Sequence, residues 1–368
     1  MTNEPILEAR GLKKYFPVET GLIHSLLGGE ERYVRAVDGI DLEIGEGEIV
    51  GLAGESGCGK TTTGKTLIRL LEPTDGTIHF KGEDVSDISG SELQEFRRDV
   101  QIIFQDPFES LNPRRTVFDW VVEPLNIHGI GNREQRNERV VQALTHAELT
   151  PPQQFLDQYP HELSGGEKQR VAIARALVLN PDFILADEPV SMLDVSIRAG
   201  VLNLLKRLNE ELDVTFLFIS HDLSLLRHVC DRIGIMYLGR IIELGETEDV
   251  IQNPTHPYAK ALISAAPEPD PFADREHVEI QGSIPDPIDL PDGCRFKDRC
   301  PERKAICDHI DPPLLRNENL DKAVACHPYY EEADKQRFDE RFHEQVSASV
   351  DPREAFESGE SEGAAGDD

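Results

Sequence analysis

The sequence feature that most restricts the fold of this 368-residue chain is a glycine-rich segment in its N-terminal third. The segment matches the pattern G-x-x-x-x-G-K-[ST] and reads Gly54-Glu55-Ser56-Gly57-Cys58-Gly59-Lys60-Thr61. An apolar run, 49–53, precedes it, and a stretch typical of a helix, 62–71, follows it. The order of strand, glycine loop and helix lets backbone N–H groups and the helix dipole hold phosphate groups. The sequence therefore predicts an α/β fold with a phosphate-binding loop at the end of a strand.

Two side chains of this loop are expected to have separate roles. Lys60 would reach the β- and γ-phosphates of a nucleotide, and the hydroxyl of Thr61 would bind Mg²⁺. The residues predicted to contact the nucleotide here are Gly54, Glu55, Ser56, Gly57, Cys58, Gly59, Lys60, Thr61 and Thr62. The alternative is a glycine-rich turn that binds nothing, and the matching strand and helix on either side disfavour it.

A second apolar run, 183–186, ends in the adjacent carboxylates Asp187 and Glu188. Asp187, delivered close to the same phosphates, would serve Mg²⁺ through a metal-bound water. Glu188 would polarise the water that attacks the phosphate. An acidic strand end is also typical of a solvated loop, but the phosphate-binding loop upstream favours the catalytic interpretation.

A third motif lies just before this strand and identifies a family. It reads Leu163-Ser164-Gly165-Gly166-Glu167-Lys168-Gln169-Arg170 and resembles the LSGGQ signature of the ATP-binding-cassette family, with Glu167 in place of Gln. The resemblance implies ATP and Mg²⁺ as ligands and a P-loop, RecA-like nucleotide-binding domain with an inserted helical subdomain at about 106–180. It also implies that Ser164, Gly165 and Gly166 contact ATP held by the P-loop of a second subunit. A Gly-Gly turn before a helix is the alternative.

Four further residues match elements of this family in the family's order. Gln105 matches the Q-loop glutamine, which touches Mg²⁺ and the attacking water, and His221 matches the switch histidine at the γ-phosphate. Asp194 ends a D-loop that would bridge the two subunits. Phe16 aligns with the aromatic residue that stacks on adenine, and its neighbour Tyr15 is the alternative.

Longer segments look like the ATPases of dipeptide and oligopeptide importers, and they are closer to the F-type than to the D-type subunit. These segments are 105–114, 159–163, 188–197 and 253–258. The resemblance implies an ATP-hydrolysing subunit at the cytoplasmic face of the membrane, beneath two permease subunits, with 106–120 helping to form the groove that receives them. It implies a dimer with a paralogous D-type ATPase, with a homodimer still open, and an external solute-binding protein as an indirect partner. Peptides, nickel and a sugar-like solute stay open as the cargo.

The C-terminal part of the chain has a different composition. Proline-rich punctuation begins near Asn253, so we expect an ATPase domain at 1–253, an extension at 254–330 and an acidic, disordered tail at 331–368. The extension contains Cys294, Cys300, Cys307 and Cys326. A cytoplasmic location disfavours disulfides, and the spacing lacks the close cysteine pairs of zinc sites. Reduced structural thiols and a [4Fe–4S] cluster both stay open, since some members of the importer family carry such a cluster.

The overall charge restricts the function further. The chain has 69 acidic and 38 basic residues, a net charge of −31, which argues against a nucleic-acid partner. Arg is also favoured over Lys, and this combination is similar to proteins of salt-loving archaea, so we expect a halophilic protein. The N-terminus lacks a basic-then-apolar leader, which favours the cytoplasm. Two other functions stay open: a soluble cassette ATPase acting on ribosomes or DNA, and a regulatory module that senses iron or redox state.

Overall fold

The structure is a computed structural model that describes residues 5–18, 32–105, 112–265, 285–288 and 290–345. Its strands are β1 (Pro5–Pro17), β2 (Tyr33–Gly45), β3 (Ile49–Ala53), β4 (Asp75–Phe80), β5 (Glu83–Asp84), β6 (Val100–Ile103), β7 (Phe183–Asp187), β8 (Thr215–Ile219), β9 (Arg232–Tyr237), β10 (Arg240–Glu246), β11 (Leu315–Asn317) and β12 (Lys322–Val324). Its α-helices are α1 (Lys60–Leu67), α2 (Gly90–Asp99), α3 (Val117–Ile127), α4 (Arg133–His146), α5 (Gly165–Leu177), α6 (Val195–Leu212), α7 (Leu223–Val229), α8 (Thr247–Gln252), α9 (Pro257–Ser264) and α10 (Glu332–Gln345).

The strands form two sheets, and the larger has the order β11-β12-β10-β9-β3-β8-β7-β6. From β9 to β6 its strands are parallel, and β10, β12 and β11 are antiparallel. Strands β3, β7 and β8 are buried along their whole length, as expected for parallel strands covered on both faces. Because β3 and β7 are parallel and both pair with β8, the segments that follow them meet at one edge of the sheet. This arrangement confirms the predicted α/β class.

The smaller, antiparallel sheet has the order β2-β1-β4-β5. Its inner face contains the fully buried side chains of Leu7, Leu12 and Ile44. These side chains belong to the same hydrophobic cluster as Leu52 and Leu217 of the central sheet. This packing brings the end of β1 and the start of β2 next to the loop that follows β3.

Three helices, α3 to α5, occupy the region in which the inserted helical subdomain is predicted. They share a core that includes Leu125, Leu144 and Val171. Arg175 of α5 lies 4.6 Å above the ring of Trp120 of α3 and donates to that residue's carbonyl at 2.7 Å. The first part of the predicted permease groove, 106–111, lies outside the described residues.

The C-terminal extension continues the central sheet of the ATPase domain. Its hairpin, β11–β12, joins the sheet where Val324 pairs with Glu243 of β10. Lys322 is buried beneath this junction, with its Nζ atom 3.2 Å from a carboxylate oxygen of Glu243 and 2.9 Å from one of Asp249. The extension is therefore attached to the ATPase domain by main-chain pairing and by buried charge.

The prediction that the tail is disordered from residue 331 onward is wrong for residues 332–345, which form α10. Phe338 is 2% exposed and packs in a small cluster with Ile306, Ile310 and Tyr330. The acidic composition of the segment concealed the apolar contact of Phe338, which holds the helix on the extension. Residues 346–368 lie outside the described part of the chain.

Candidate nucleotide-binding site

A cavity of about 660 Å³ lies at the edge of the central sheet where β3 and β7 end. One wall is the glycine-rich loop, which we call the P-loop (residues 54–61), with the cavity lined by its residues 56–61 and by Thr62. The end of β1 and the start of β2 form another wall, and Gln105, Glu188 and His221 also line the cavity. The structure thus brings together residues that are far apart in the sequence and that were predicted for one site.

Glycine is required at two positions of the P-loop for steric reasons. Gly59 has a φ of 109°, and a Cβ atom there would lie 2.1 Å from the carbonyl oxygen of Ala36. Gly54 has a φ of 149°, and a Cβ atom there would lie 2.4 Å from the carbonyl oxygen of Met236. Neither position accepts an L side chain without moving the backbone, so the two glycines fix the course of the loop into α1.

Lys60, the first residue of α1, is held inside the P-loop. Its side chain is buried, and the Nζ atom donates to the carbonyl oxygens of Gly54 at 2.8 Å and Glu55 at 3.0 Å. This ammonium group is a fixed positive charge beside the cavity, next to the N-terminus of α1. Burial raises the pKa of the neighbouring Cys58 thiol, which disfavours a reactive thiolate at this position.

Thr61 and Asp187 form the pair of oxygen groups expected at a magnesium site. The Thr61 hydroxyl donates to Oδ1 of Asp187 at 2.8 Å. Burial raises the pKa of the Asp187 carboxyl, against the opposing effects of the Thr61 hydrogen bond and of Lys65, whose Nζ lies 3.9 Å away. Hydroxyl and carboxylate oxygens with room for waters are the ligands that Mg²⁺ prefers, so these residues fit the ion. Gln105 lies on the same cavity.

Glu188 is held in a conformation that L residues other than glycine rarely adopt. Its φ is 47°, and this strained turn is fixed by a hydrogen bond from its N–H to the carbonyl of Ile219 at 2.9 Å and one from the Ser191 hydroxyl to its own carbonyl at 3.0 Å. Its Oε1 atom lies 3.0 Å from Nδ1 of His221. The Glu188 side chain is 18% exposed and that of His221 is 62% exposed. A carboxylate oriented in this way can accept a proton from a water in the cavity.

The structure distinguishes between the two aromatic candidates for the adenine. Phe16 lines the cavity, and the Nζ atom of Lys14 lies 5.2 Å from its ring centroid. Tyr15 instead donates its hydroxyl to Asp38, and burial together with this carboxylate raises the pKa of Tyr15 to about 12. Stacking of Phe16 on a base stays a prediction.

The signature residues lie away from this cavity, as expected if they serve a second subunit. Ser164 caps α5, its hydroxyl oxygen accepts from the Glu167 N–H at 3.4 Å, and its own N–H donates to the Glu167 carboxylate at 2.8 Å. Glu167, which replaces the usual Gln, completes this capping box. Gly165, Gly166 and Asp194 do not line the cavity either. Their contact with nucleotide stays a prediction.

Sequence reasoning missed the contacts that the C-terminal extension makes with this site. Glu55 faces away from the cavity: its N–H donates to the hydroxyl of Tyr258 at 3.1 Å, and its carboxylate lies 3.3 Å from the guanidinium of Arg299. The prediction that Glu55 contacts the nucleotide therefore does not match its position. Pro287 of the extension lines the cavity and accepts a hydrogen bond from the Arg35 N–H at 3.1 Å. No local pattern in the sequence marks these long-range contacts.

The four cysteines of the extension lie near one another, and the N–H of Cys294 donates to the carbonyl of Cys307 at 2.8 Å. Burial raises the pKa of all four thiols, and the neighbouring cysteines add to this effect for Cys294, Cys300 and Cys326. All six cysteines of the chain are described and none forms a disulfide. Within the described residues, no group of three or more His, Cys, Asp or Glu side chains is arranged to hold a metal ion, so the predicted cluster lacks support from this geometry.

Among the helices that the structure describes, none is both long and apolar enough to span a membrane.

Comparison with known proteins agrees with the fold. A family described as "ABC transporter" matches residues 37–191, and one described as "Oligopeptide/dipeptide transporter, C-terminal region" matches residues 242–307. The oligopeptide transport ATP-binding protein AppF of Bacillus subtilis is 47% identical over 89% of this chain and 98% of its own length. The dipeptide transport ATP-binding protein DppF of Haemophilus influenzae is 44% identical over 89% of this chain and 99% of its own length.

Solved structures show the same architecture. The dimeric ATP-binding cassette MJ0796, bound to ADP and Pi in a post-hydrolysis state, is similar with a TM-score of 0.56 and 33% identity, over 66% of this chain and 98% of that one. The cassette cbiO1 from Clostridium perfringens is similar with a TM-score of 0.58 and 27% identity, over 68% of this chain and 92% of that one. The P-loop cavity and these relatives together show that the chain belongs to the ATP-binding-cassette ATPases, in the family of oligopeptide and dipeptide transport ATP-binding proteins.

Proposed function

We propose that this chain is the ATP-hydrolysing subunit that drives import of dipeptides or oligopeptides through membrane permeases. The observation that supports hydrolysis is the Glu188–His221 pair, 3.0 Å apart, on the cavity that the P-loop lines. The support for peptides as cargo comes from the relatives. They are named as oligopeptide and dipeptide transport ATP-binding proteins, and the match covers nearly their whole length.

In this proposal the P-loop and Lys60 bind the phosphates of ATP. N–H groups of the loop residues that line the cavity would donate to the phosphates, and the ammonium group of Lys60 would exchange its loop carbonyls for phosphate oxygens. Thr61, Asp187 and Gln105 would hold Mg²⁺, which neutralises charge on the phosphates when bound. Phe16 would lie against the adenine.

Hydrolysis then depends on Glu188 as the general base. Its carboxylate accepts a proton from a water as the water oxygen bonds to the γ-phosphorus and the bond from that phosphorus to the ADP oxygen breaks. His221, within hydrogen-bond distance of Glu188, would orient the carboxylate and contact the γ-phosphate. The imidazole is 62% exposed and lines the cavity, so it has room to reach a phosphate there.

The complete site would require a second ATPase subunit. Ser164, Gly165 and Gly166 would close over ATP held by the partner's P-loop, and Asp194 would bridge the subunits. The exposed apolar side chains next to Asp194 support this, since Met192 is 57% exposed and Val195 is 79% exposed. Similarity to F-type relatives favours a paralogous D-type partner over a homodimer.

Two permease subunits would bind the helical subdomain at the cytoplasmic face of the membrane, with a solute-binding protein outside. Phe104, beside the predicted Q-loop, is 43% exposed, and Ile127 at the end of α3 is 61% exposed. Apolar side chains at these positions support a docking surface near Gln105, through which ATP binding and the permeases would be coupled.

Co-purification from membranes tests the transport proposal. Recovery of the tagged chain with two permeases and a paralogous ATPase, with ATP hydrolysis stimulated by a loaded peptide-binding protein, is the expected result. Recovery with ribosomes or DNA and no membrane partner would instead support a soluble ATPase.

A [4Fe–4S] cluster on Cys294, Cys300, Cys307 and Cys326 is the finer proposal for the extension. Four thiols in one region support it as a donor set, two of them buried and two partly buried, whereas their arrangement among the described residues does not form a metal site. Anaerobic purification separates the outcomes. A brown, iron-containing protein that loses its colour in a Cys300→Ser variant supports the cluster, and a colourless, iron-free protein leaves four structural thiols.

Adaptation to high salt is a further proposal, supported by the net charge of −31. At low ionic strength, repulsion among surface carboxylates is poorly screened. It then acts over a longer distance and destabilises the folded state. We therefore expect the free energy of unfolding to rise from low salt to molar KCl. Equal stability under both conditions would contradict this adaptation.

A further inference from the structure

The C-terminal extension holds one residue of the P-loop at both its main chain and its side chain. The Glu55 N–H donates to the hydroxyl of Tyr258 at 3.1 Å, and the Glu55 carboxylate lies 3.3 Å from the Arg299 guanidinium. The Arg299 side chain is only 9% exposed and that of Glu55 is 29% exposed, so this ion pair is better shielded from water than an ordinary surface pair.

Arg299 and Tyr258 are themselves held by a cluster of aromatic rings. The rings of Tyr258 and Tyr237 are 4.7 Å apart, and Phe296 lies 5.5 Å from Tyr258 and 5.4 Å from Tyr237. The Arg299 guanidinium lies 5.8 Å from the centroid of Tyr237 and also donates to its hydroxyl at 3.3 Å. The two groups that contact Glu55 therefore have little freedom to move.

Glu55 determines the position of two parts of the nucleotide site. It immediately precedes Ser56, where the P-loop begins to line the cavity. Its carbonyl oxygen also accepts a hydrogen bond from the Lys60 ammonium, at 3.0 Å. A shift of Glu55 would therefore change both the path of the loop and the position of the charge that binds phosphate.

We propose that Arg299 and Tyr258 are positioning residues for ATP binding, through which the C-terminal extension keeps the P-loop in its phosphate-binding conformation. The extension contacts two other sides of the same cavity. Pro287 lines it, and the buried Arg295 donates to the carbonyl of Leu238, which also lines it. The nucleotide affinity of this ATPase thus depends on a unit outside the nucleotide-binding domain.

The test measures nucleotide affinity and turnover separately in the full-length protein. Arg299→Met is expected to raise the Kd for Mg·ADP and the KM for ATP by about five- to tenfold, with kcat at saturating ATP within about twofold, as for a residue that acts on binding through another group. Arg299→Lys keeps the charge and should restore part of the affinity. Tyr258→Phe should weaken binding in the same direction, because the Glu55 N–H loses its acceptor.

A matched control uses another arginine of the extension. Arg316 forms an exposed ion pair with Asp321 at 2.7 Å, and neither residue lines the cavity, so Arg316→Met should leave both Kd and kcat unchanged. Thermal unfolding without nucleotide, together with iron and thiol content, shows whether each variant retains the wild-type fold.

A double-mutant cycle with Glu55→Gln determines whether Arg299 acts through Glu55. We expect the effects of Arg299→Met and Glu55→Gln to be strongly non-additive, with the double variant close to the single ones. Additive effects, an unchanged Kd in Arg299→Met, or a fall in kcat without a change in affinity would each overturn the proposal. If Arg299→Met does not fold, Glu55→Gln and Tyr258→Phe alone decide the matter, since unchanged affinity in both would refute it.

Discussion

Replacement of Glu188 by Gln removes the general base while leaving the other functions of the site in place. The amide keeps an Oε1 acceptor 3.0 Å from His221 and preserves the main-chain contacts that hold the left-handed turn at φ 47°, so folding and nucleotide binding should persist. Only the ability to accept a proton is lost. A positioned general base contributes about 10²- to 10⁴-fold to a rate. This corresponds to about 3–5 kcal/mol of the activation barrier.

The assay is steady-state phosphate release at saturating Mg·ATP, with the Kd for Mg·ADP measured in parallel. We expect kcat to fall about 10²- to 10⁴-fold with little change in Kd, and ATP-induced dimers to accumulate because they cannot hydrolyse their nucleotide. Glu248→Gln is the matched control, since it neutralises an exposed carboxylate paired with Arg227 at 2.8 Å and should leave kcat unchanged. Wild-type turnover in Glu188→Gln would refute the assignment of the base.

Three other changes test parts of the structure. Burial lowers the pKa of His256 to about 3, so the unfolded chain takes up a proton below pH 6.5 that the folded chain does not. Through this group the free energy of unfolding falls by about 1.4 kcal/mol per pH unit from pH 6.5 toward pH 3. His256→Asn, which can still cap α9, should flatten this slope in urea unfolding. Gly59→Ala should abolish Mg·ADP binding because its Cβ would meet the carbonyl of Ala36, whereas Gly82→Ala, at φ 80° with nothing within 4 Å, should leave binding unchanged. Phe338→Ala should cost about 3–5 kcal/mol locally and remove the amide-exchange protection of 332–345, and unchanged protection would show that Phe338 does not anchor α10.

Much of the fold could be predicted because its central strands are covered on both faces. The predicted strand at 49–53 has the bounds of β3, and the one at 183–186 differs from β7 by one residue. Such strands appear in the sequence as short apolar runs, and the P-loop is defined by a local pattern of glycines. Glu188 could be placed beside the phosphate-binding loop because it follows a buried strand, whereas Gln105 and His221 could be assigned only through the family resemblance; all three line the cavity.

Other features depend on contacts that no local pattern encodes. Glu55 is 203 positions from Tyr258 and farther still from Arg299, so no local pattern separates Glu55 from the phosphate-binding residues. Helix α10 is polar except for a few residues, and its stability comes from where Phe338 packs rather than from its composition. Cysteine spacing likewise supplied a donor set for a cluster without showing whether the sulfur atoms converge.

The β11–β12 hairpin also protects the ATPase domain against aggregation. Without it, β10 would be the edge of the central sheet and would present seven residues of main chain to any other unpaired strand. The hairpin pairs with that edge at Glu243 and Leu244 and makes β11, which has only three residues, the outermost strand; the buried Lys322 holds it there through Glu243 and Asp249. We therefore expect a chain synthesised only as far as residue 253 to expose β10 as an unpaired edge strand, which favours association with other copies until the extension is complete.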